Sequence, residues 1–452
     1  MERFGPSSVD AGNRGASTQR LINCFRQATV GSKRTAAALK SVPGTENFAD
    51  TSTPLLYGVG RFSGSMYVAA GGRLFKVSDS GTVTDLGAIS SGEASFSSNT
   101  DSLVLTAAGS LYTVQADVIT QQAPTPFISI GSVDFLDQYT LYTELNGRQF
   151  GWSDLADPTS YPGTNFAAAE ATDEDIIRGI VVNSRVILFK EEGREVWYNT
   201  GQSGANAFLR VAGGVRNVGL KSYGLATKTD EALFWVGNDN ICRLTLDGLN
   251  SEKLSYPPVN IALERGNPTH CFYTEEDGQK FCHIRFSDRP TWVFNLASGE
   301  WHERAEGGAH DPWTVLAAQK LNNTWYGFND AGKVLKFARN NQDLYLDSPT
   351  LRRTAVSATY YFEEGASLDE LEIYLRTGFN DIGRNAQMWC RFSRDGGHTW
   401  SLEKWRDVGS LGDYQQKATW RAQGSFQQLT IEANISEPAE MPLWSDFRME
   451  AA

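Results

Sequence analysis

Residues 393–400 have the sequence SRDGGHTW, in which polar residues, glycine and tryptophan follow one another at short intervals. The carboxylate of Asp395, between Ser393 and Thr399, can accept backbone hydrogen bonds across a tight turn. Gly397 permits a positive φ angle, and Trp400 can pack beneath the turn. This pattern predicts a structural β-hairpin turn and no catalytic role for its residues.

The S-x-D-x-G-x-T-W pattern resembles the Asp-box turn of sialidases and other β-propellers. Sialidases carry several copies, whereas this chain has one. A sialidase also needs an early [FY]-R-I-P segment, which does not occur, an arginine triad, and a tyrosine nucleophile paired with a glutamate. Pairs such as Tyr361 with Glu363 are as frequent as 16 tyrosines and 53 acidic residues give by chance. A sialidase-like propeller glycosidase or glycan-binding protein is kept as the alternative function.

Acidic residues on or near a long crossing segment at 149–173 could supply the two carboxylates of a glycosidase, which lie roughly 5–10 Å apart. They are Asp154, Asp157, Glu170, Asp173, Glu174 and Asp175. A solvated acidic loop is favoured over a catalytic pair. Acidic clusters such as residues 173–175 also suit a metal ion, but their spacing does not match a calcium-binding loop. The motifs of esterases, P-loop proteins, zinc proteases and dinucleotide-binding folds do not occur. We expect no enzymatic activity, no cofactor and no metal site.

Five cysteines are scattered along the chain without a C-x-x-C pair, and we expect reduced, buried thiols. The one metal-like cluster pairs His270 and Cys271 with Cys282 and His283. Adjacent residues of a strand point to opposite faces, so at most one of each pair can share a site. Residues 292–301, with tryptophan at both ends, are interpreted as part of a β core and not as a glycan platform.

The charge distribution limits which partners the chain can bind. The net charge of −12 over 452 residues excludes a general nucleic-acid-binding protein, but not a channel through which DNA passes. Seven basic residues lie among the first 40: Arg3, Arg14, Arg20, Arg26, Lys33, Arg34 and Lys40. They fit either a basic arm that reaches an acidic partner or a solvated tail. We expect no membrane insertion and no secretory signal peptide.

Aromatic-rich hairpins recur along the chain and set the fold class. The clearest covers residues 61–86, where a strand, a Gly71-Gly72 turn, a second strand and a Ser80-Gly81 turn follow one another. Similar units lie at residues 102–114, 232–246 and 324–337. Irregularly spaced hairpins of this kind predict an all-β chain that forms an irregular β-propeller of five to seven blades.

The pattern of apolar and polar residues changes along the chain and predicts three parts. Residues 1–50 lack a lasting period and predict an extended N-terminal arm, and residues 51–349 form the propeller. From residue 350, alternating strands of 5–8 residues predict a C-terminal β-sandwich, or platform, domain. The last strand could belong to the sandwich or pair back into the ring.

Several segments, in their order over about 400 residues, resemble the tail hub, or nozzle, protein of short-tailed bacteriophages, also called the packaged-DNA stabilisation protein. Six of these segments are residues 20–25 and 39–44 in and after the arm, 67–75 in the first blade, 150–154 and 165–170 in the crossing, and 187–201 in a later blade. The turn at 395–400 and the terminal strands also fit.

The resemblance implies a structural virion protein of the phage tail, assembled in the host cytoplasm. A homo-hexameric ring would lie below the portal and its adaptor (head-to-tail connector) proteins, retain packaged DNA and form the ejection channel. Expected partners are the adaptors, a tailspike or fibre, a tail needle or plug, and double-stranded DNA that passes without specific binding. The candidate adaptor or subunit contacts in the arm are Arg20, Asn23, Arg26, Lys33 and Arg34.

Overall fold

The structure is a computed structural model that describes most of the chain. The described residues are 8, 19–28, 37–276, 278–338, 351–378, 385–414, 416–436, 441–442 and 445–451. For 28, 37 and everything beyond 436, only the backbone is described. No helix in these ranges is long and apolar enough to cross a membrane.

Glycine and asparagine turns separate short apolar strands and so produce four-stranded antiparallel blades. In blade 1, the strand Ser65–Ala70 is buried on both faces because neighbouring blades pack against it. It is joined to Arg73–Val77 by Gly71 and Gly72, which have φ angles of +54° and +79°. Two successive positive φ angles give the tight hairpin that right-twisted strands favour. The hairpin expected at residues 61–86 is therefore present.

Blades 1 to 4 follow one another along the chain as separate four-stranded sheets. Their strands are, for blade 1, Leu56–Phe62, Ser65–Ala70, Arg73–Val77 and Val83–Ala88; for blade 2, Ala94–Ser98, Leu103–Ala107, Ser110–Gln115 and Val118–Gln122; for blade 3, Ile130–Leu136, Tyr139–Glu144, Gln149–Trp152 and Phe166–Ala168; and for blade 4, Arg178–Val182, Arg185–Phe189, Arg194–Asn199 and Phe208–Arg216. A 3-10 turn, Gly204–Asn206, precedes the last of these strands. The predicted crossing thus contributes two strands of blade 3, separated by an irregular loop.

Blades 5 to 7 complete the ring. Their strands are, for blade 5, Ala226–Lys228, Leu233–Val236, Cys242–Thr245 and Glu252–Lys253; for blade 6, Pro268–Glu276, Gln279–Phe286, Thr291–Asn295 and Glu300–Glu306; and for blade 7, Val315–Leu321, Thr324–Asn329, Lys333–Ala338 and Gly44–Asp50. The helix Pro257–Arg265 lies between blades 5 and 6, and the short strand Asp311–Pro312 pairs with the end of blade 6. Six described blades are separate sheets, and blade 6 is part of a larger one.

Ring closure differs from the sequence prediction. Gly44–Asp50, which falls inside the predicted arm of residues 1–50, is the outermost strand of blade 7 and pairs antiparallel with Lys333–Ala338. Nearly 290 residues separate the two strands, so no hairpin turn in the sequence indicates that they pair. Residues 51–55 join this strand to the first strand of blade 1, so the segment that precedes blade 1 completes blade 7 and closes the ring.

The C-terminal domain is a β-sandwich around one apolar core. Its strands are Arg353–Val356, Tyr360–Tyr374, Gln387–Ser393, Lys404–Asp407, Lys417–Arg421, Ser425–Ile435 and Ser445–Ala451. The strand Ser425–Ile435 pairs with Tyr360–Tyr374 near its start and with Gln387–Ser393 near its end, so it belongs to both layers. Ser445–Ala451 pairs with Tyr360–Tyr374 and so belongs to the sandwich. The predicted fold class, an irregular propeller followed by a sandwich, is confirmed.

Candidate functional site

A three-residue strand in the arm joins the propeller to the sandwich. Arg20–Ile22, the arm strand, pairs in parallel with the outer strand of blade 6, where Ile22 lies opposite Glu303. Its other edge pairs antiparallel with Arg353–Val356 of the sandwich, where Arg20 lies opposite Val356. Because both edges are used, one sheet runs from blade 6 through the arm into the sandwich. We call this region the arm junction.

Asn23 ends the arm strand and connects three segments of the chain. Its φ angle is +57°, a left-handed conformation that asparagine adopts more readily than most residues. Its Nδ2 donates to the carbonyl of Arg352 at 2.9 Å, and its Oδ1 accepts from the amide of Ala305 at 2.9 Å. Its backbone amide donates to Glu303 O at 2.8 Å. With 1% of its surface exposed, Asn23 fixes sandwich, arm and blade 6 together.

Two arginines of the arm form ion pairs with the outer strand of blade 6. Arg20 donates to both carboxylate oxygens of Glu303, from Nε at 3.0 Å and from Nη2 at 2.5 Å. Arg26 Nη1 donates to Glu300 Oε1 at 2.8 Å. Two parallel hydrogen bonds of this kind are strong and fix the orientation of both groups.

The apolar residues that follow anchor the arm. Phe25 packs edge-on against Phe281, with ring centroids 5.0 Å apart, and its ring centroid lies 5.7 Å from that of His302. Burial lowers the pKa of His302 to about 3, and Arg304 adds to this effect. Phe25 belongs to the strand Cys24–Ala28, which pairs antiparallel with Ala37–Ser41, and Ala37–Ser41 pairs with Met441–Pro442.

The Asp-box-like turn has a closed set of hydrogen bonds. Asp395 Oδ1 accepts from Ser393 Oγ at 2.7 Å and from the Thr399 amide at 2.8 Å, and Oδ2 accepts from Thr399 Oγ1 at 2.6 Å. These bonds, those from Thr399 first, hold the pKa of Asp395 well below its usual range. Gly397 has a φ angle of +88°. Trp400 lies beside Arg391, whose guanidinium carbon is 5.5 Å from the ring centre.

The predicted site residues lie in two places. Arg20, Asn23 and Arg26 meet at the arm junction, while the five turn residues lie in the sandwich. Lys33 and Arg34 fall outside the described residues. Whether the five arm residues contact adaptors or other subunits remains a prediction.

The partners of the arm could not be found from sequence. Glu303 and Ala305 lie about 280 positions after Arg20 and Asn23, and Arg352 lies further still. No local motif marks them. The apolar residues 21–25 were the available signal, since such a cluster within a polar segment predicts a buried anchor.

The other candidates from the sequence have structural surroundings. All five cysteines are buried and free, and Cys271 pairs across its hairpin with Ile284, whereas Cys282 lies opposite Tyr273. In the part of the chain that the structure describes, no group of three or more His, Cys, Asp or Glu could hold a metal. Trp292 and Trp301 are buried in blade 6, as expected of core residues.

Comparison with known families supplies the identity of the chain. A family model described as "Bacteriophage P22 Gp10, beta-propeller" matches residues 19–334, and one described as "Bacteriophage P22 Gp10, beta-sandwich" matches residues 354–431. The chain belongs to the bacteriophage P22 Gp10 family. The expected resemblance to tail hub proteins that stabilise packaged DNA is thereby confirmed. Gp10 proteins are structural components of the phage virion that interact with other tail proteins.

Solved structures similar to this Gp10-family chain include other propellers. BamB from Moraxella catarrhalis is 13% identical and covers 71% of this chain and 98% of its own, with a TM-score of 0.42. YCF48 bound to D1 peptide is 11% identical and covers 66% of this chain and 99% of its own, with a TM-score of 0.44. No curated protein matches the sequence.

Proposed function

We propose that this chain is the subunit of a homo-hexameric tail hub, or nozzle, which lies below the portal and its adaptors. The hexamer would retain packaged DNA and form the channel for its ejection. The observation that carries this proposal is the match of the Gp10 family to both domains, in order along the chain. Partners would be the adaptors, a tailspike or fibre, and a needle or plug, in a virion assembled in the host cytoplasm.

The mechanism would be assembly and not chemistry. A closed ring is built from heterologous interfaces, which requires each subunit to present its surfaces in a fixed relation. The arm junction supports this, because a strand paired on both edges joins blade 6 to the sandwich. In this proposal no residue is catalytic and no cofactor is bound.

DNA would pass through the hexamer without specific contacts. Tight binding to phosphates requires a basic surface, and this chain carries a net charge of −12. A surface that repels phosphates lets DNA slide during ejection and keeps it from binding to the channel wall.

The arm residues would act at two levels. Asn23 holds the arm in place, whereas Arg20 and Arg26 retain 30% and 26% of their side-chain exposure and can also face an acidic partner. Lys33 and Arg34 would contact an adaptor or a neighbouring subunit directly.

The native mass of the assembly tests the proposal. We expect light scattering on the purified chain, alone and with a portal–adaptor complex, to give about six copies per particle. The double variant Lys33→Glu/Arg34→Glu should weaken binding to the adaptor complex, while Arg73→Glu on blade 1 should not. A chain that stays monomeric with the complex, and that cleaves or binds polysaccharide, would instead support the glycosidase or glycan-binding alternative.

A further inference from the structure

A charged cleft of about 290 Å³ opens beside the arm junction. It is lined by Arg352, Arg391 and Glu432 of the sandwich and by Trp400 of the Asp-box-like turn. The loop after blade 6 contributes His310. The propeller, the arm and the sandwich thus all contribute to one concave surface.

Positive charge outnumbers negative charge around this cleft. Three guanidinium groups line it, those of Arg20, Arg352 and Arg391, whereas Glu432 is the carboxylate among the lining residues. Arg20 is paired with Glu303, so the five groups together carry a surplus of one positive charge. Because the arginines come from separate segments, the fold and not a local motif brings the charge together.

The carboxylate in the cleft is already fully engaged. Glu432 Oε1 accepts from Arg391 Nη2 at 2.6 Å, from Asn434 Nδ2 at 2.8 Å and from Arg352 Nη2 at 3.2 Å. Its Oε2 accepts from Arg391 Nη2 at 2.7 Å. Arg391 Nε also donates to Glu432 Oε1, at 3.0 Å, so Arg391 uses Nε and Nη2 for this ion pair and leaves Nη1 outside it. A planar guanidinium with a further donor edge is suited to a second oxyanion.

His310 lies at this cleft, where it is affected both by burial and by the three arginines. Thr354 Oγ1 donates to Asn434 Oδ1 at 2.6 Å, so it accepts from His310 Nε2 at 3.0 Å. This places a proton on Nε2 of His310. Burial first, and then Arg352, Arg20 and Arg391, lower the pKa of His310 to about 3. The contribution of the three arginines, unlike that of burial, has the sign that would favour a bound anion.

We propose that the cleft binds a small oxyanion, a phosphate or a carboxylate, between the guanidinium groups of Arg391 and Arg352. Arg391 lies beside the ring of Trp400, which restricts its orientation. A planar carboxylate and a tetrahedral phosphate both present oxygen atoms that can accept hydrogen bonds from a guanidinium group. This site is independent of the tail-hub proposal and requires no particular oligomer.

Gly308 allows a test that leaves every ion pair in place. It lies at the lining of the cleft, is exposed, and a Cβ added to it meets nothing within 4 Å. Its carbonyl accepts from Arg352 Nη1 at 2.7 Å, a bond that a side-chain change preserves. Gly308→Glu would therefore place a competing carboxylate at the cleft, and Gly308→Gln is the matched uncharged control.

The full chain is titrated with sodium phosphate and, separately, with sodium acetate, and sodium chloride at equal ionic strength is the control. Binding is measured by the heat of the titration and by the shift in melting temperature. We expect saturable binding of at least one oxyanion, weakened tenfold or more, about 1.4 kcal/mol, by Gly308→Glu but not by Gly308→Gln. Binding of phosphate alone identifies a phosphate site, and binding of acetate identifies a carboxylate site. Equal effects of chloride, or equal responses of the two variants, would overturn the proposal.

Discussion

The guanidinium of Arg20 donates two hydrogen bonds to the carboxylate of Glu303, across 283 positions of sequence. Glu303 keeps 4% of its side-chain exposure and Arg20 keeps 30%. The pair lies where the arm strand meets blade 6, beside the pairing of the arm with the sandwich. Breaking it leaves a buried carboxylate without its counter-charge, so the loss falls on the connection between the domains.

We expect Arg20→Gln to lower the free energy of unfolding by about 2 kcal/mol. The reason is that the buried carboxylate of Glu303 would lose the positive charge that compensates for its removal from water. The double variant Arg20→Gln/Glu303→Gln should cost less than the sum of the two single changes. A double-mutant cycle by urea denaturation measures this coupling. The control is the pair Arg73–Asp85, whose side chains are 46% and 40% exposed, and its coupling should stay below about 1 kcal/mol. Equal coupling of the two pairs would contradict the prediction.

Asn23→Ala should destabilise the chain by about 2–4 kcal/mol, because a buried backbone amide and a buried carbonyl lose their partners and a left-handed conformation loses a tolerant residue. Asn23→Asp keeps the acceptor for Ala305 but loses the donor to Arg352. Its loss of stability should therefore be smaller than that of Asn23→Ala. Denaturant titration monitored by tryptophan fluorescence gives both values.

The matched control for Asn23 is Asn146→Ala. Asn146 has a similar φ angle of +56° but lies exposed in a turn of blade 3. Its substitution carries the backbone cost without the junction hydrogen bonds, so the difference between the two alanine variants isolates the side-chain contacts. If the two variants were equally stable, the hydrogen bonds of Asn23 would contribute nothing.

Local patterns were sufficient to predict the blades but not the closure of the ring. Strand pairs such as Ser65–Ala70 with Arg73–Val77 are adjacent in sequence, and the turn residues between them specify the hairpin. Gly44–Asp50 has no such signal, because its partner lies near residue 335. The alternating strands after residue 350 predicted the sandwich. The family resemblance supplied the tail-hub identity, which the hairpins alone did not distinguish from other propellers.

The candidate site was predicted in part for the same reason. The residue types of the Asp-box-like turn and its spacing specify the hydrogen bonds among Ser393, Asp395 and Thr399, all within one short segment. At the arm junction, sequence singled out Arg20 and Asn23 but not their partners. Charged residues that meet only in the tertiary structure have no characteristic spacing in the sequence. For this reason the arginine cleft could not be predicted.

Asp395→Ala should loosen the turn of residues 393–400, because the Thr399 amide and hydroxyl lose their acceptor. We expect faster hydrogen exchange at the amides of Thr399 and Gly397, with exchange in the blades unchanged, since the turn is local to the sandwich. Asp395→Asn keeps one acceptor oxygen and should have a smaller effect. Exchange measured by mass spectrometry on the peptide that covers the turn would detect both, and unaltered exchange in the alanine variant would contradict the role of the carboxylate.

Acidification should destabilise the anchor of the arm through His302. Its pKa is about 3 in the folded chain and 6.5 as its usual value, so the unfolded chain binds the proton more readily. Stability from the neutral imidazole is therefore full above pH 6.5 and is lost as the pH falls toward 3. Between pH 7 and pH 5 this group alone contributes a loss of about 2 kcal/mol.

The variant His302→Phe separates this effect from general acid sensitivity. Phenylalanine keeps an aromatic ring between Phe25 and Phe281 but has no proton to bind, so the fall in stability between pH 7 and pH 5 should shrink by about 2 kcal/mol. The control His398→Gln changes an exposed histidine in the Asp-box-like turn and should leave the slope unaltered. Urea midpoints at the two pH values measure the slopes. Parallel slopes for wild type and His302→Phe would mean that His302 takes up its proton equally in the folded and unfolded chains, which its burial beside Arg304 opposes.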